Sequence, residues 1–220
     1  MYDNIIIHDS TSNKTYLELQ KLVSEIKQKY CIFGEFHVLI KDDPANGPNI
    51  EMKMVDLNPK KWFSKRTEVL IITKGILENF SPITNADELK ALLAHEFSHT
   101  LHKDIKFKGI TGVVIGLIDL ILLDILLQTN QNLIIIIVTV ILMIIVSFRV
   151  FYHINRKLET RCDEEAYCKT QNREALKNAI KKVGYLGTQN RLGGVIHCII
   201  GYSHPSDEER SARIDSLTFN

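Results

Sequence analysis

No two of the four cysteines, Cys31, Cys162, Cys168 and Cys198, stand in CxxC spacing. That argues against a cysteine-based zinc site, and the scatter suits a reducing compartment better than a disulfide framework. An excess of either charge is also lacking. Twenty-seven Lys and Arg against 26 Asp and Glu leave a net charge of +1. No dense basic patch with interleaved aromatics occurs, so no nucleic-acid partner is expected. The first residues, MYDNIIIHDSTSNK, have no basic segment ahead of a long apolar core and do not read as a signal peptide. Prolines and glycines are few and mark turns. There is no linker, low-complexity tract or internal repeat, and the length allows one or two domains.

Hydrophobicity is what the chain concentrates. Residues 109–127 are nearly all apolar, and residues 133–150 are more so. The second run approaches one bilayer crossing, which takes roughly 17–25 residues. The first carries Asp119 and Asp124. Each acid near a helix centre costs roughly 2.5–3.5 kcal/mol, while each Leu, Ile or Val returns about 0.3–0.6. Alone, this segment is near balance; Asp124, near its end, can reach the interface at lower cost, and insertion as a hairpin with the second run helps further. Its acids are read two ways, as a substrate or subunit contact or as polar residues tolerated against the partner helix. Lys103, Lys106 and Lys108 precede the pair, Arg149, Arg156, Lys157 and Arg161 end or follow it, and the loop at 128–132 is uncharged. The positive-inside rule then sets both flanks in the cytoplasm.

Just before these runs stands His95-Glu96-Phe97-Ser98-His99, a case of H-E-x-x-H. On a helix, the histidines fall one turn apart on one face and can share a zinc ion, with Glu96 as general base toward water. A helix is expected from Ala86 to about Asp104. Asn85 offers an N-cap with Glu88 three residues on, and Leu89, Leu92, Leu93 and Phe97 recur at helical spacing. A third ligand is expected beyond the apolar runs, where residues 155–166 are charged and helix-compatible. There Glu159 and Asp163 point to one side, and a carboxylate completes a His2Glu site. With the apolar pair set aside, only about 18 residues separate His99 from Glu159, so the pair reads as an insertion between two halves of one zinc site.

At this level the chain resembles the HtpX-like membrane metallopeptidases, relatives of the CAAX prenyl endopeptidase among the gluzincins. The resemblance runs from about Thr67 onward. It is carried by residues 69–77 (a strand entering T-x-G-L-L), 88–99 (the zinc helix, followed by Asp104), 156–163 (R-x-x-E-x-x-A-D) and 204–210 (H-P-x-x-x-x-R). It implies one zinc per chain held by His95, His99 and Glu159, with Glu96 as general base and Asp163 as a supporting acid or proton donor. It also implies that His204 and Arg210 support the oxyanion or the substrate. On the residues alone, those last two read equally well as surface side chains. Asp104 and Asp163 are candidates to orient the imidazoles. The chain departs from the pattern in beginning with soluble sequence where bacterial relatives usually have a further membrane pair, in Cys162 replacing alanine, and in Lys61-Trp62-Phe63 where N-A-F is common.

The fold class expected is therefore α+β: a gluzincin-like, mostly helical domain with a small sheet, interrupted by a transmembrane hairpin. Its parts are residues 1–108, 109–152 and 153–220. Residues 15–30 read as an amphipathic helix, 35–40, 50–57 and 67–73 as strands, and 174–186 and 207–217 as packing helices. A sheet edge is read either as a substrate-holding strand or as plain core. Two functions compete. One is a zinc endopeptidase at the cell membrane, multi-pass with its catalytic domain facing the cytoplasm, cutting protein or peptide substrates at the lipid bilayer in membrane-protein quality control. The other is a catalytically silent membrane-tethered metal-binding scaffold or peptide-binding protein. The intact Glu96 favours the first.

Overall fold

A computed structural model describes residues 5–8, 13–32, 36–41, 49–56, 66–129, 132–188 and 205–218. The turn at 43–48, Lys61-Trp62-Phe63, Gly193, Gly194, Cys198 and His204 lie outside the described residues. Among the described residues, the strands are β1 (Ile5–His8), β2 (Phe36–Lys41), β3 (Ile50–Asp56) and β4 (Arg66–Thr73). The helices are α1 (Asn13–Lys29), α2 (Lys74–Asn79), α3 (Ala86–Leu101), α4 (Asp104–Thr129), α5 (Leu133–Thr170), α6 (Arg173–Thr188) and α7 (Asp207–Ser216). The mostly helical chain with a small sheet is as expected. Strand β1 and helix α2 were not.

The four strands run in the order β1-β2-β4-β3. β1 and β2 are parallel and α1 is their crossover, since parallel neighbours need a long connection. β2 and β4 are also parallel, while β3 closes the edge antiparallel to β4. Val69, Leu70, Ile71 and Ile72 of β4 are all buried, the unbroken apolar run of a strand covered on both faces.

By internal contacts the chain falls into two compact units. One comprises the sheet, α1 to α3, the C-terminal turns of α5, α6 and α7; the other is built on Asp104–Glu159. In the first, α3 packs against α1, β3 and α6, and α6 against α7. Leu19, Val23 and Ile26 of α1, Leu89, Leu93 and Phe97 of α3, and Leu176 of α6 are fully buried. Tyr30, just past α1, donates from its hydroxyl to the Ala94 carbonyl at 2.7 Å, and its ring lies 6.2 Å from that of Phe97. Burial pushes the Tyr30 phenol well above its ordinary pKa, so it stays a donor.

Helix ends differ from expectation in instructive ways. Asn85 occupies the N-cap of α3 without a side-chain cap; its Oδ1 accepts from Thr84 Oγ1 instead. The complete capping box belongs to α7. There Ser206 Oγ accepts from the Glu209 N–H at 3.1 Å, and Glu209 Oε2 accepts from the Ser206 N–H at 3.0 Å. α3 stops at Leu101 because Lys103 turns left-handed (φ 56°), and α4 starts afresh at Asp104.

In the second unit, α4 and the first half of α5 are long and apolar enough to cross a membrane by length and composition. Their surface is unlike that of a soluble core helix. Leu133 is 68% exposed, Ile134 72% and Ile110 65%. Asp119 accepts a hydrogen bond from Ser147 Oγ across the two helices at 2.9 Å. Asp124, near the end of α4, accepts from Gln128 at 2.8 Å.

Replacing Tyr30 by Phe keeps the ring and leaves the Ala94 carbonyl without its buried donor. The expected loss is about 1 kcal/mol of stability, read as a lowered urea midpoint at unchanged slope.

Candidate metal centre

α3 carries His95 and His99 on one face because they are four residues apart on an uninterrupted helix. Their rings meet edge to face, centroids 4.9 Å apart at 85°. Both are nearly buried, at 7% and 9% exposure. Glu96, one position on, is half-buried, next in sequence to the first of two buried imidazoles.

Each imidazole is backed from α5. His95 Nδ1 lies 2.9 Å from Asp163 Oδ1. An ionised carboxylate only accepts, so the hydrogen sits on Nδ1 and the Nε2 lone pair is left for a metal. Arg210 of α7 grips the same carboxylate from the other side, Nε to Oδ2 at 2.7 Å and Nη2 to Oδ1 at 2.6 Å. Burial alone would push the Asp163 carboxyl up. The hydrogen bonds from Arg210 and His95 outweigh it and hold the pKa below the usual carboxylate value. His99 is backed by a softer group: its Nδ1 lies 3.3 Å from the buried Cys162 thiol. Beside this pair, Ser98 Oγ donates to Glu165 Oε2 at 2.6 Å and His102 Nε2 meets the same oxygen at 2.7 Å.

Glu159 is one turn before Asp163 on α5, whose helix continues unbroken through both. It is 3% exposed, and Lys108 Nζ approaches its Oε1 at 3.4 Å. Among the described residues, His95, His99 and Glu159 form a buried group whose ligand-type atoms all lie within 4.8 Å of one another. Two imidazoles and a carboxylate are the donor set of His2Glu zinc sites, so these residues fit the ion.

Of the residues singled out in the sequence, His95, His99, Glu159, Asp163 and Arg210 come together, and Glu96 follows His95 on α3. His204 lies outside the described residues. Arg210, considered above for the oxyanion or the substrate, engages Asp163. Glu165 and the Cys162 contact went unread. Their only signal is a place beside Asp163 on a charged helical stretch, which does not say what lies opposite.

Arg210→Ala would strand a carboxylate that is 2% exposed; breaking such a pair costs about 3–5 kcal/mol. Because the folded pKa of Asp163 is depressed, the stabilisation is present above the unfolded value of about 3.9 and lost as pH falls through the folded one. The stability gap between wild type and variant, measured by urea unfolding at several pH values, is thus expected to be full at pH 7 and to close in acid.

A sequence profile of Peptidase family M48 matches residues 60–218. A Protease HtpX homolog from Dictyoglomus turgidum is 33% identical over 81 residues, covering 37% of this chain and 22% of that protein. Another from Caldanaerobacter subterraneus subsp. tengcongensis is 26% identical over 181 residues, 68% of this chain and 58% of that protein. The chain thus spans less than two thirds of the length of these relatives. No solved structure matches it. With the family profile covering most of its length and both halves of the histidine and carboxylate cluster, the chain belongs to peptidase family M48.

Proposed function

We propose that the protein is a membrane-anchored zinc endopeptidase, with His95, His99 and Glu159 as ligands and Glu96 as general base. The observation that carries this reading is the buried His95, His99 and Glu159 group, with the half-buried Glu96 next to His95 on the same helix. When bound, zinc polarises the scissile carbonyl and makes water a better nucleophile at neutral pH.

The chain's own residues account for the rest. Glu96 accepts the proton of the attacking water and passes it to the leaving amine, a transfer worth roughly 10²–10⁴ in rate. Asp163 fixes the His95 tautomer, and Arg210 keeps Asp163 ionised while doing so. The two apolar helices cross the bilayer as a hairpin. Lys103, Lys106 and Lys108 before it and Arg149, Arg156 and Lys157 at its far end keep the catalytic part on the cytoplasmic side. Membrane-associated or misfolded proteins are the substrates within reach of such a site, which supports a role in membrane-protein quality control.

Purified protein is expected to hold one zinc and to cleave casein or itself. Glu96→Gln should keep the zinc and lose at least about 10²-fold in kcat. Glu159→Ala should lose the zinc, and full metal retention would refute it as third ligand. Zinc-loaded wild type inert toward several substrates would favour the scaffold reading. A cysteine placed at Gln171 should be shielded from impermeant reagents outside the cell; labelling there overturns the orientation.

A further inference from the structure

The zinc reading leaves one polar cluster unused. It lies on the flank of α3 beside the two histidines. A single oxygen of Glu165 takes two hydrogen bonds, from Ser98 Oγ of α3 at 2.6 Å and from Nε2 of His102, the residue that caps α3, at 2.7 Å. Ser98 is fully buried, and the Glu165 side chain is 19% exposed. Ser98 and His102 are one helical turn apart, so both point at Glu165 from one stripe of α3. His99 falls between them in sequence. His95 begins the same stripe one turn earlier, where it meets Asp163.

We propose that Glu165 is a positioning residue of the metal centre: by holding Ser98 and His102 with one oxygen, it sets the roll and slide of α3 against α5, and so the aim of His95 and His99. The proposal rests on the zinc reading above. Magnitudes favour it. Side-chain ends lie roughly 5–6 Å from a helix axis, so a roll of about 10° moves a ring nitrogen by about 1 Å. Metal sites tolerate only about 0.2 Å in bond length. The His95–Asp163 contact is one point and does not stop α3 rotating about it. Two more contacts one turn apart do, because any roll or slide of α3 stretches at least one of them. A shared acceptor is also demanding: a side chain without an oxygen there releases both residues at once.

The test compares Glu165→Ala and Glu165→Gln with wild type, all as full chains in detergent. Zinc affinity is measured by chelator competition, and the visible spectrum of the cobalt-substituted protein reports ligand geometry. Glu165→Ala is expected to weaken zinc about 10- to 100-fold, as loss of outer-shell partners typically does, and to shift the cobalt bands. Glu165→Gln keeps an acceptor oxygen and should stay within about threefold. Melting temperatures separate this from plain destabilisation, since the glutamine rescue of the cobalt spectrum does not follow from stability. If Glu165→Ala does not fold, Ser98→Ala combined with His102→Leu removes the same grip and is expected to give the same loss. Wild type that binds zinc while the alanine variant, or failing that the double variant, binds it equally tightly with an unchanged cobalt spectrum overturns the role of Glu165 alone. Wild type without tight zinc overturns the metal reading and this proposal with it.

Discussion

The Asp163 carboxylate, almost out of reach of water, is held by two partners from elements distant in sequence, His95 on α3 and Arg210 on α7. An isolated carboxylate buried this deeply would protonate or pull the structure open. Here the bidentate guanidinium meets it with matching geometry, and the imidazole supplies a third hydrogen bond. Three helices are thereby fixed at one point. The same hydrogen bond that stabilises the acid decides which ring nitrogen of His95 carries a proton. Stability and metal-binding chemistry therefore share one interaction.

The two imidazoles are not supported alike. His95 leans on a charged carboxylate, whereas His99 has a thiol at 3.3 Å. Sulfur is a weak hydrogen-bond partner, so Cys162 orients His99 less firmly than Asp163 orients His95. The resembled family usually has alanine at this place, which offers no partner at all. Cys162 is thus an additional hold on His99, and burial shelters its sulfur from reagents in solution.

Much of this is legible in the sequence. His95, Glu96 and His99 announce themselves because a metal site on a helix needs that spacing, and Glu159 with Asp163 because one turn puts two acids on one side. The buried faces of α1 and α3 follow from apolar periodicity. β1 was missed since three isoleucines between polar residues are too short to separate strand from core helix. α2 passed for a turn for the same reason of length. Asn85 promised a cap that its own neighbour Thr84 diverts. Glu165 was unreadable because its role depends on where α3 meets α5, and local sequence does not encode that. The change from apolar to charged residues near Arg149 looked like a boundary. Backbone hydrogen bonds ignore such changes, and α5 continues through it.

That continuity has a geometric outcome. At 1.5 Å per residue, the nine residues from Val150 to Glu159 lift the third carboxylate about 14 Å along α5 beyond the end of its apolar stretch. The headgroup layer of one leaflet is only roughly 5–8 Å thick. With the apolar half of α5 seated in hydrocarbon as proposed, an upright helix works as a stilt of fixed length that carries Glu159 clear of the headgroups. Tilting the helix lowers that height only by the cosine of the angle, so a tilt of about 20° removes less than 1 Å.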